Sequence, residues 1–400
     1  MMKFLMNGER DILDGLSTDA YFLRTEEVLD GLKYYPHVAM ELHTKSFPHK
    51  DYGFGIVAGL WEVIKLLEGF PVDIYMMPEG SVFFPGEPVM YIMGNYRNFL
   101  RYETTIIGFV SSMSAIATKA ARVKLAAGDK AIFSFGTRRV HPAIAPAVEY
   151  ASYIGGVDGV SNVSGAKKIG IKAIGTMPHA LILVMSDPIE AFIAFDKFVD
   201  PSVPRIALVD TYGYPLKETM EAVKVLGEKL HGVRIDTKDF IHIIDIIKWE
   251  LARNGYDNVK ITLSGGLDEY SVSEYHEVAD SFGVGTRLAS AKVFDFALKI
   301  VEVEGMPKAK VSNYPGRKIV YRKVDNGEIH DIVTLKENSE LEKMGYRPML
   351  KQVMKKGIII EDMPTPQKTR EYVKEQLETL PETYKNINFT GKYPLTFRAV

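Results

Sequence analysis

The sequence predicts an α/β protein: a barrel or partial barrel of parallel strands, preceded by an α+β segment and followed by a small β-containing one. Three observations predict it. From about residue 130 short apolar runs alternate with helical stretches, as at 216–230 and 238–254, the pattern of parallel strands joined by right-handed crossovers. Glycine and polar residues crowd the C-terminal end of nearly every run, and in a barrel those ends share one mouth, where active sites sit. On either side of this region the pattern changes, which divides the chain into 1–112, 113–300 and 301–400.

In the first segment Thr18-Asp19 reads as a helix start, and the apolar spacing from Gly55 to about Phe70 reads as a second helix. Short β-like runs follow at Val72–Met76 and Pro88–Met93, and a long helical pattern covers 97–127. The expected barrel strands are Ala131–Phe135, Gly159–Val163, Ile171–Ile174, Ile206–Val209, Val233–Ile235, Val259–Leu263 and Ser281-Phe282. In the last segment Lys318–Arg322 and Ile329–Val333 flank Asn326-Gly327, a hairpin signal. Residues 364–380 then read as a charged surface helix.

Composition removes several classes of function. The 400 residues carry 49 basic and 51 acidic side chains, for a net charge of −2. No basic surplus exists for a nucleic-acid footprint, so no nucleic acid is expected as partner. With no cysteine, disulfides, thiolate nucleophiles and cysteine-ligated zinc are excluded, and a cytoplasmic setting is the simplest reading. The first eight residues are too short and too soon polar for a signal peptide. No run of about 18 apolar residues is evident, so no membrane helix is expected.

The chemistry concentrates after the strands. Ser264-Gly265-Gly266 and Gly283-Val284-Gly285-Thr286 are glycine turns whose free amides suit a phosphate. Arg138 and Arg139 beside Phe135 suit a planar aromatic anion, with a structural ion pair as the alternative for either arginine. Asp210 and Asp236 each end a strand, and Arg234 stands two residues before Asp236. These carboxylates suit ribose hydroxyls or a magnesium ion, directly or through water, and a helix N-cap is the plain alternative. His179, after Thr176-Met177-Pro178, is a general base, a nucleophile or a core hydrogen-bonder. The remaining histidines show no metal-ligand spacing, so no zinc site is expected.

Several blocks in order carry a family resemblance. Phe135-Gly136-Thr137-Arg138-Arg139, Gly159-Val160-Ser161-Asn162, Gly175-Thr176-Met177-Pro178-His179-Ala180 and Phe282-Gly283-Val284-Gly285-Thr286 together resemble nicotinate phosphoribosyltransferases. Arg234-Ile235-Asp236-Thr237, Ser264–Asp268 and Ser312–Lys318 fit the same family. The resemblance implies the type II phosphoribosyltransferase fold, an irregular α/β barrel with an α+β N-terminal domain. It implies transfer of a phosphoribosyl group from phosphoribosyl pyrophosphate to nicotinate, with magnesium, and with ATP as a coupled co-substrate through phosphorylation of the histidine at His179.

By the same resemblance Phe135 stacks on the pyridine ring and Arg138 contacts its substituent or pyrophosphate. Tyr21 covers the other face from a neighbouring subunit, so a homodimer or higher homo-oligomer with shared sites is expected. Asp210, Arg234 and Asp236 handle ribose and pyrophosphate, and Ser264, Gly265, Gly266, Gly283, Gly285 and Thr286 hold the 5′-phosphate. Thr176 and Arg139 join the substrate set. Asp158, just before the Gly159 block, raises the nicotinamide alternative, because relatives using the amide carry a carboxylate near this position. Quinolinate is a further alternative substrate. Outside this chemistry stand a non-catalytic nucleotide-binding barrel and, more remotely, a decarboxylase or aldolase barrel, for which no lysine sits at a strand end.

Overall fold

The computed structural model describes residues 6–397 apart from Asn326. Asn326, half of the expected turn, and Met1–Leu5, where the signal-peptide reading begins, lie outside the described residues. Residues up to Thr118 together with those from Ala291 onward form one compact unit, and Lys119–Ser290 form the other.

The Lys119–Ser290 unit holds six parallel strands: β1 (Ala131–Ser134), β2 (Gly159–Val160), β3 (Arg205–Leu208), β4 (Leu230–Ile235), β5 (Lys260–Ser264) and β6 (Ser281–Val284). Their order is β2-β1-β6-β5-β4-β3. The chain thus steps from β1 to one edge, crosses to the far edge, and returns strand by strand until β6 lies beside β1. Neither edge carries a further strand among the described residues, so the sheet is an open half-barrel, the partial form of the expected closure. The expected strand at Ile171–Ile174 does not form; the segment is irregular and leads into the helix His179–Met185. Ile174 N–H donates to Val160 O on the β2 edge at 2.9 Å, but no ladder extends from that bond among the described residues. Buried strand residues such as Ile132, Val233, Ile235, Ile261 and Phe282 explain why these runs are apolar.

The other unit is built on a seven-stranded sheet. His37–Thr44 pairs antiparallel with both Pro88–Asn95 and Phe296–Val303, and Val72–Met76 pairs with Lys351–Lys355. The first and last segments, read from sequence as separate domains, therefore share one sheet. Buried ion pairs tie them further within this unit. Lys318 Nζ lies 2.6 Å from Glu41, and Arg322 Nη2 lies 3.1 Å from Glu87 and 2.7 Å from Asp331. Charges this deeply buried stay only because each has its partner.

Other local readings shift. The helix expected from Gly55 begins only at Leu60, because Gly55-Ile56 pair with Val82-Phe83. Asp19 stands at the N-cap of Ala20–Leu32, and strands Ile319–Asp325 and Glu328–Thr334 form the expected hairpin. The surface helix runs Pro366–Thr379. The stretch Leu100–Ala127 is long and apolar enough to cross a membrane by length and composition, where no such run was expected, and 72% of that window is buried inside the protein. Its Ile106, Val110 and Ala115 pack in the core of the first unit.

Candidate active site

Because the six strands are parallel, their C-terminal ends lie along one edge of the sheet. Phe135 leaves β1 there, with its N–H donating to Val284 O at 2.9 Å. Gly136 and Gly283 let these strands close up. A Cβ on Gly136 would lie 2.5 Å from Gly285 O, and one on Gly283 would lie 2.3 Å from the Phe135 ring. The half-buried Phe135 ring therefore rests directly on backbone. A short 3₁₀ turn, Thr137–Arg139, follows and leaves Arg138 and Arg139 exposed. Neither side chain is engaged in a salt bridge or hydrogen bond among the described residues, so the structural ion-pair alternative is not realised.

The acids come from β3 and β4. Asp210 Oδ2 accepts from Asp236 N at 2.7 Å, which links the two strand ends. Asp210 is 2% exposed and Asp236 33% exposed. Burial pushes the Asp210 carboxyl up, against the Asp236 N–H and His179. Ser264, at the end of β5, donates to Asp236 Oδ1. Arg234 is largely buried, places its guanidinium 6.0 Å from the centre of the Phe135 ring, and donates to Met177 O at 3.4 Å. Burial lowers its pKa, with Asp236 and Asp210 opposing.

His179 opens the helix His179–Met185. Its Nδ1 lies 3.0 Å from Thr211 Oγ1, and its Nε2 lies 3.5 Å from Asp236 and 3.8 Å from Asp210. The imidazole is 37% exposed. Thr176, three residues earlier, is half-buried.

The glycine turns complete the edge. Gly265 and Gly266 adopt φ of +96° and +70°, which side-chain-bearing residues rarely adopt. A Cβ on Gly265 would meet Asp236 O at 2.2 Å. Gly285 and the exposed Thr286 begin the short helix Thr286–Ala289 after β6.

Two expected members lie elsewhere. Asp158 precedes β2: its N–H donates to Ile132 O at 2.7 Å, and its carboxylate accepts from Ile132 N at 2.9 Å and Lys124 Nζ at 3.2 Å. It therefore stands at the N-terminal end of β1, opposite to Phe135, and is not in the site. Tyr21 belongs to the other unit, on the helix Ala20–Leu32, and the residue is 55% exposed.

Two residues escaped the sequence reading. Thr211 was visible only as part of a polar turn, and Glu218 gave no signal beyond an acid early in a helix. Glu218 is buried and accepts from the N–H groups of Thr211, Tyr212 and Tyr214 at 3.3, 3.2 and 3.3 Å. Among the described residues no group of three or more His, Asp or Glu side chains is arranged to hold a metal by itself. The pair Asp210 and Asp236 does fit a magnesium ion that draws its other ligands from substrate and water. Asp236 is accessible, and Asp210 Oδ1 is buried with no hydrogen-bond partner.

The match to known proteins accords with this geometry. Residues 19–114 match the model of the quinolinate phosphoribosyl transferase N-terminal domain, and 116–299 match its C-terminal domain. Residues 318–398 match the nicotinate phosphoribosyltransferase C-terminal domain. A nicotinate phosphoribosyltransferase of Mycobacterium tuberculosis is 32% identical over 353 residues, which cover 84% of this chain and 75% of that one. The chain belongs to the nicotinate phosphoribosyltransferase family.

A Bacillus subtilis nicotinate phosphoribosyltransferase is 27% identical over 97% of this chain and 94% of its own. The crystal structure of nicotinate-nucleotide pyrophosphorylase from Pyrococcus furiosus is 46% identical, covers 95% of this chain and 99% of that one, and superposes with a TM-score of 0.90. Human nicotinic acid phosphoribosyltransferase shares the fold, with a TM-score of 0.80 at 20% identity over 95% and 97% of the two chains.

Proposed function

We propose that this chain transfers phosphoribose from phosphoribosyl pyrophosphate to the ring nitrogen of nicotinate, releasing nicotinate mononucleotide and pyrophosphate, as a step of NAD biosynthesis in the cytoplasm. One observation carries the choice of an acid substrate. Arg138 and Arg139 stand free beside Phe135, while the carboxylate expected to serve an amide substrate, Asp158, is bound to Lys124 and Ile132 at the other strand end.

The roles follow from position. The ring of nicotinate lies on Phe135, and its carboxylate meets Arg138 or Arg139, with Thr176 nearby. The 5′-phosphate sits on the amides of Ser264–Gly266 and Gly283–Thr286. Arg234 and Asp236 face ribose and pyrophosphate, and Asp210 holds Asp236 in place. The anomeric carbon passes through a cationic state as pyrophosphate leaves. Catalysis therefore needs the leaving charge neutralised and the nitrogen held in line, and it needs no strong base because the ring nitrogen carries a free lone pair. Magnesium, bound to pyrophosphate and to Asp210 and Asp236 directly or through water, would supply part of that neutralisation.

ATP coupling belongs to the same proposal. An imidazole nitrogen of His179 attacks the γ-phosphorus of ATP, ADP departs, and water later takes the phosphoryl group and restores the imidazole. The 37% exposure of its imidazole supports this use. Tyr21, exposed on its helix, would cover the pyridine from a second subunit. If Tyr21→Ala and His179→Ala chains, each inactive, regain activity on mixing, the sites are shared; no recovery after confirmed subunit exchange removes that reading.

The deciding assay supplies phosphoribosyl pyrophosphate and magnesium with nicotinate, nicotinamide or quinolinate in parallel, each with and without ATP. Turnover with nicotinate alone is expected. Turnover of either other pyridine at a comparable rate overturns the choice of substrate, and no turnover at all favours a binding-only protein.

A further inference from the structure

His179 is anchored through one atom. Its Nδ1 meets Thr211 Oγ1 at 3.0 Å, while Nε2 looks toward Asp236 and Asp210 at 3.5 and 3.8 Å without a close hydrogen bond to either. The direction of the ring therefore depends on where Thr211 stands. Thr211 lies in an irregular turn between β3 and the helix Pro215–Leu226. Three amides of that turn, those of Thr211, Tyr212 and Tyr214, converge on one carboxylate. Glu218 Oε2 takes the first at 3.3 Å, and Oε1 takes the others at 3.2 and 3.3 Å. Glu218 N in turn donates to Tyr214 O at 2.9 Å, which closes the turn on the helix.

We propose that Glu218 and Thr211 are positioning residues for His179: the carboxylate fixes the turn, and the turn's hydroxyl fixes the imidazole. This rests on the reading of His179 as the phosphoryl acceptor. Glu218 is 2% exposed and bonds only to backbone, so it touches no reactant and acts through Thr211. A carboxylate is required because both of its oxygens are used as acceptors. An amide has one acceptor oxygen, so Glu218→Gln turns an NH₂ group either on the Thr211 amide or on the Tyr212 and Tyr214 amides. Donors in these part-buried bonds that come to face a donor lose them and push the turn outward. A ring displaced by a fraction of an ångström loses in-line geometry for transfer.

The test measures acid-labile phosphate gained by the full-length protein from γ-labelled ATP with magnesium, together with nicotinate turnover in the presence of ATP. Thr211→Val keeps the shape and removes the hydroxyl; Thr211→Ser keeps the hydroxyl and removes a methyl. Thr211→Val and Glu218→Gln should slow labelling by about 10-fold or more, and Thr211→Ser should stay within about 3-fold of the parent. A role in packing alone predicts the reverse order for the two threonine variants, and that order overturns the proposal. If Glu218→Gln does not fold by circular dichroism, the threonine pair decides.

His179→Ala separates the two levels of the argument. Loss of label in His179→Ala with normal labelling in Thr211→Val removes the positioning role and leaves His179 as acceptor. Full label in His179→Ala, or none on the parent protein, removes the acceptor reading and the positioning role with it.

Discussion

Gly265 and Gly266 are adjacent, both with positive φ, yet they should respond differently to the same substitution. A Cβ on Gly265 would lie 2.2 Å from Asp236 O and 2.8 Å from its carbonyl carbon, whereas nothing lies within 4 Å of one on Gly266. Placing alanine in a left-handed conformation costs about 1–2 kcal/mol, offset by about 0.4–1 kcal/mol from the stiffer unfolded chain. Gly266→Ala should therefore cost roughly 0–1.6 kcal/mol. At Gly265 the obstacle is backbone, which cannot turn aside as a side chain can. Forced repacking adds about 1–3 kcal/mol, for a total of roughly 1–5 kcal/mol. The displaced residue is Asp236, so kcat/KM for phosphoribosyl pyrophosphate should also fall by about 100-fold in Gly265→Ala. Urea unfolding followed by circular dichroism and initial rates over a range of that substrate measure both effects. Equal unfolding midpoints and equal kcat/KM in the two alanine variants would refute the reasoning.

Gly283→Ala should drive its methyl into the Phe135 ring, 2.3 Å away, and lower kcat/KM for nicotinate by up to about 100-fold; unchanged nicotinate kinetics would show that the ring position does not matter. Asp158→Asn keeps an acceptor for Ile132 N and loses the partly exposed contact with Lys124, so it should cost under about 1 kcal/mol. Its nicotinate-to-nicotinamide ratio should match the parent, and a changed ratio would return Asp158 to the site. Burial pushes the Glu79 carboxyl up to about 7 from 4.5, against the amides of Gly59 and Leu60. An acid raised in the folded state keeps its proton over that window after the unfolded chain has lost it, so its contribution is complete below pH 4.5 and is lost as pH rises through 7. Glu79→Gln should remove about 3 kcal/mol of this pH-dependent loss, and an unflattened unfolding profile between pH 4.5 and 7 speaks against it.

The sequence by itself determined what depends on neighbours along the chain. Alternating apolar runs and helices announced parallel strands, since each run needs both faces buried and each crossover needs a helix's length. Glycines and acids after those runs announced the loops of one edge, because parallel strands point their ends the same way. Thus His179, Asp210, Asp236, Ser264 and Gly265 were all named from local pattern, and the structure brings them together.

Only the tertiary structure decided which end of a strand a residue serves and what lies across from it. Asp158 stands one residue before Gly159, yet the parallel pairing with β1 sets it against Ile132 at the far end from Phe135. Nothing at 171–174 differs in pattern from a strand, yet against the β2 edge the segment makes the Ile174 bond to Val160 O and no ladder. Phe296–Val303 joins the sheet of His37–Thr44 across more than half the chain, a pairing that no local periodicity encodes. Glu218 is an ordinary helix glutamate until the fold buries it, and burial then makes its three amide partners the favourable way to keep the carboxylate satisfied.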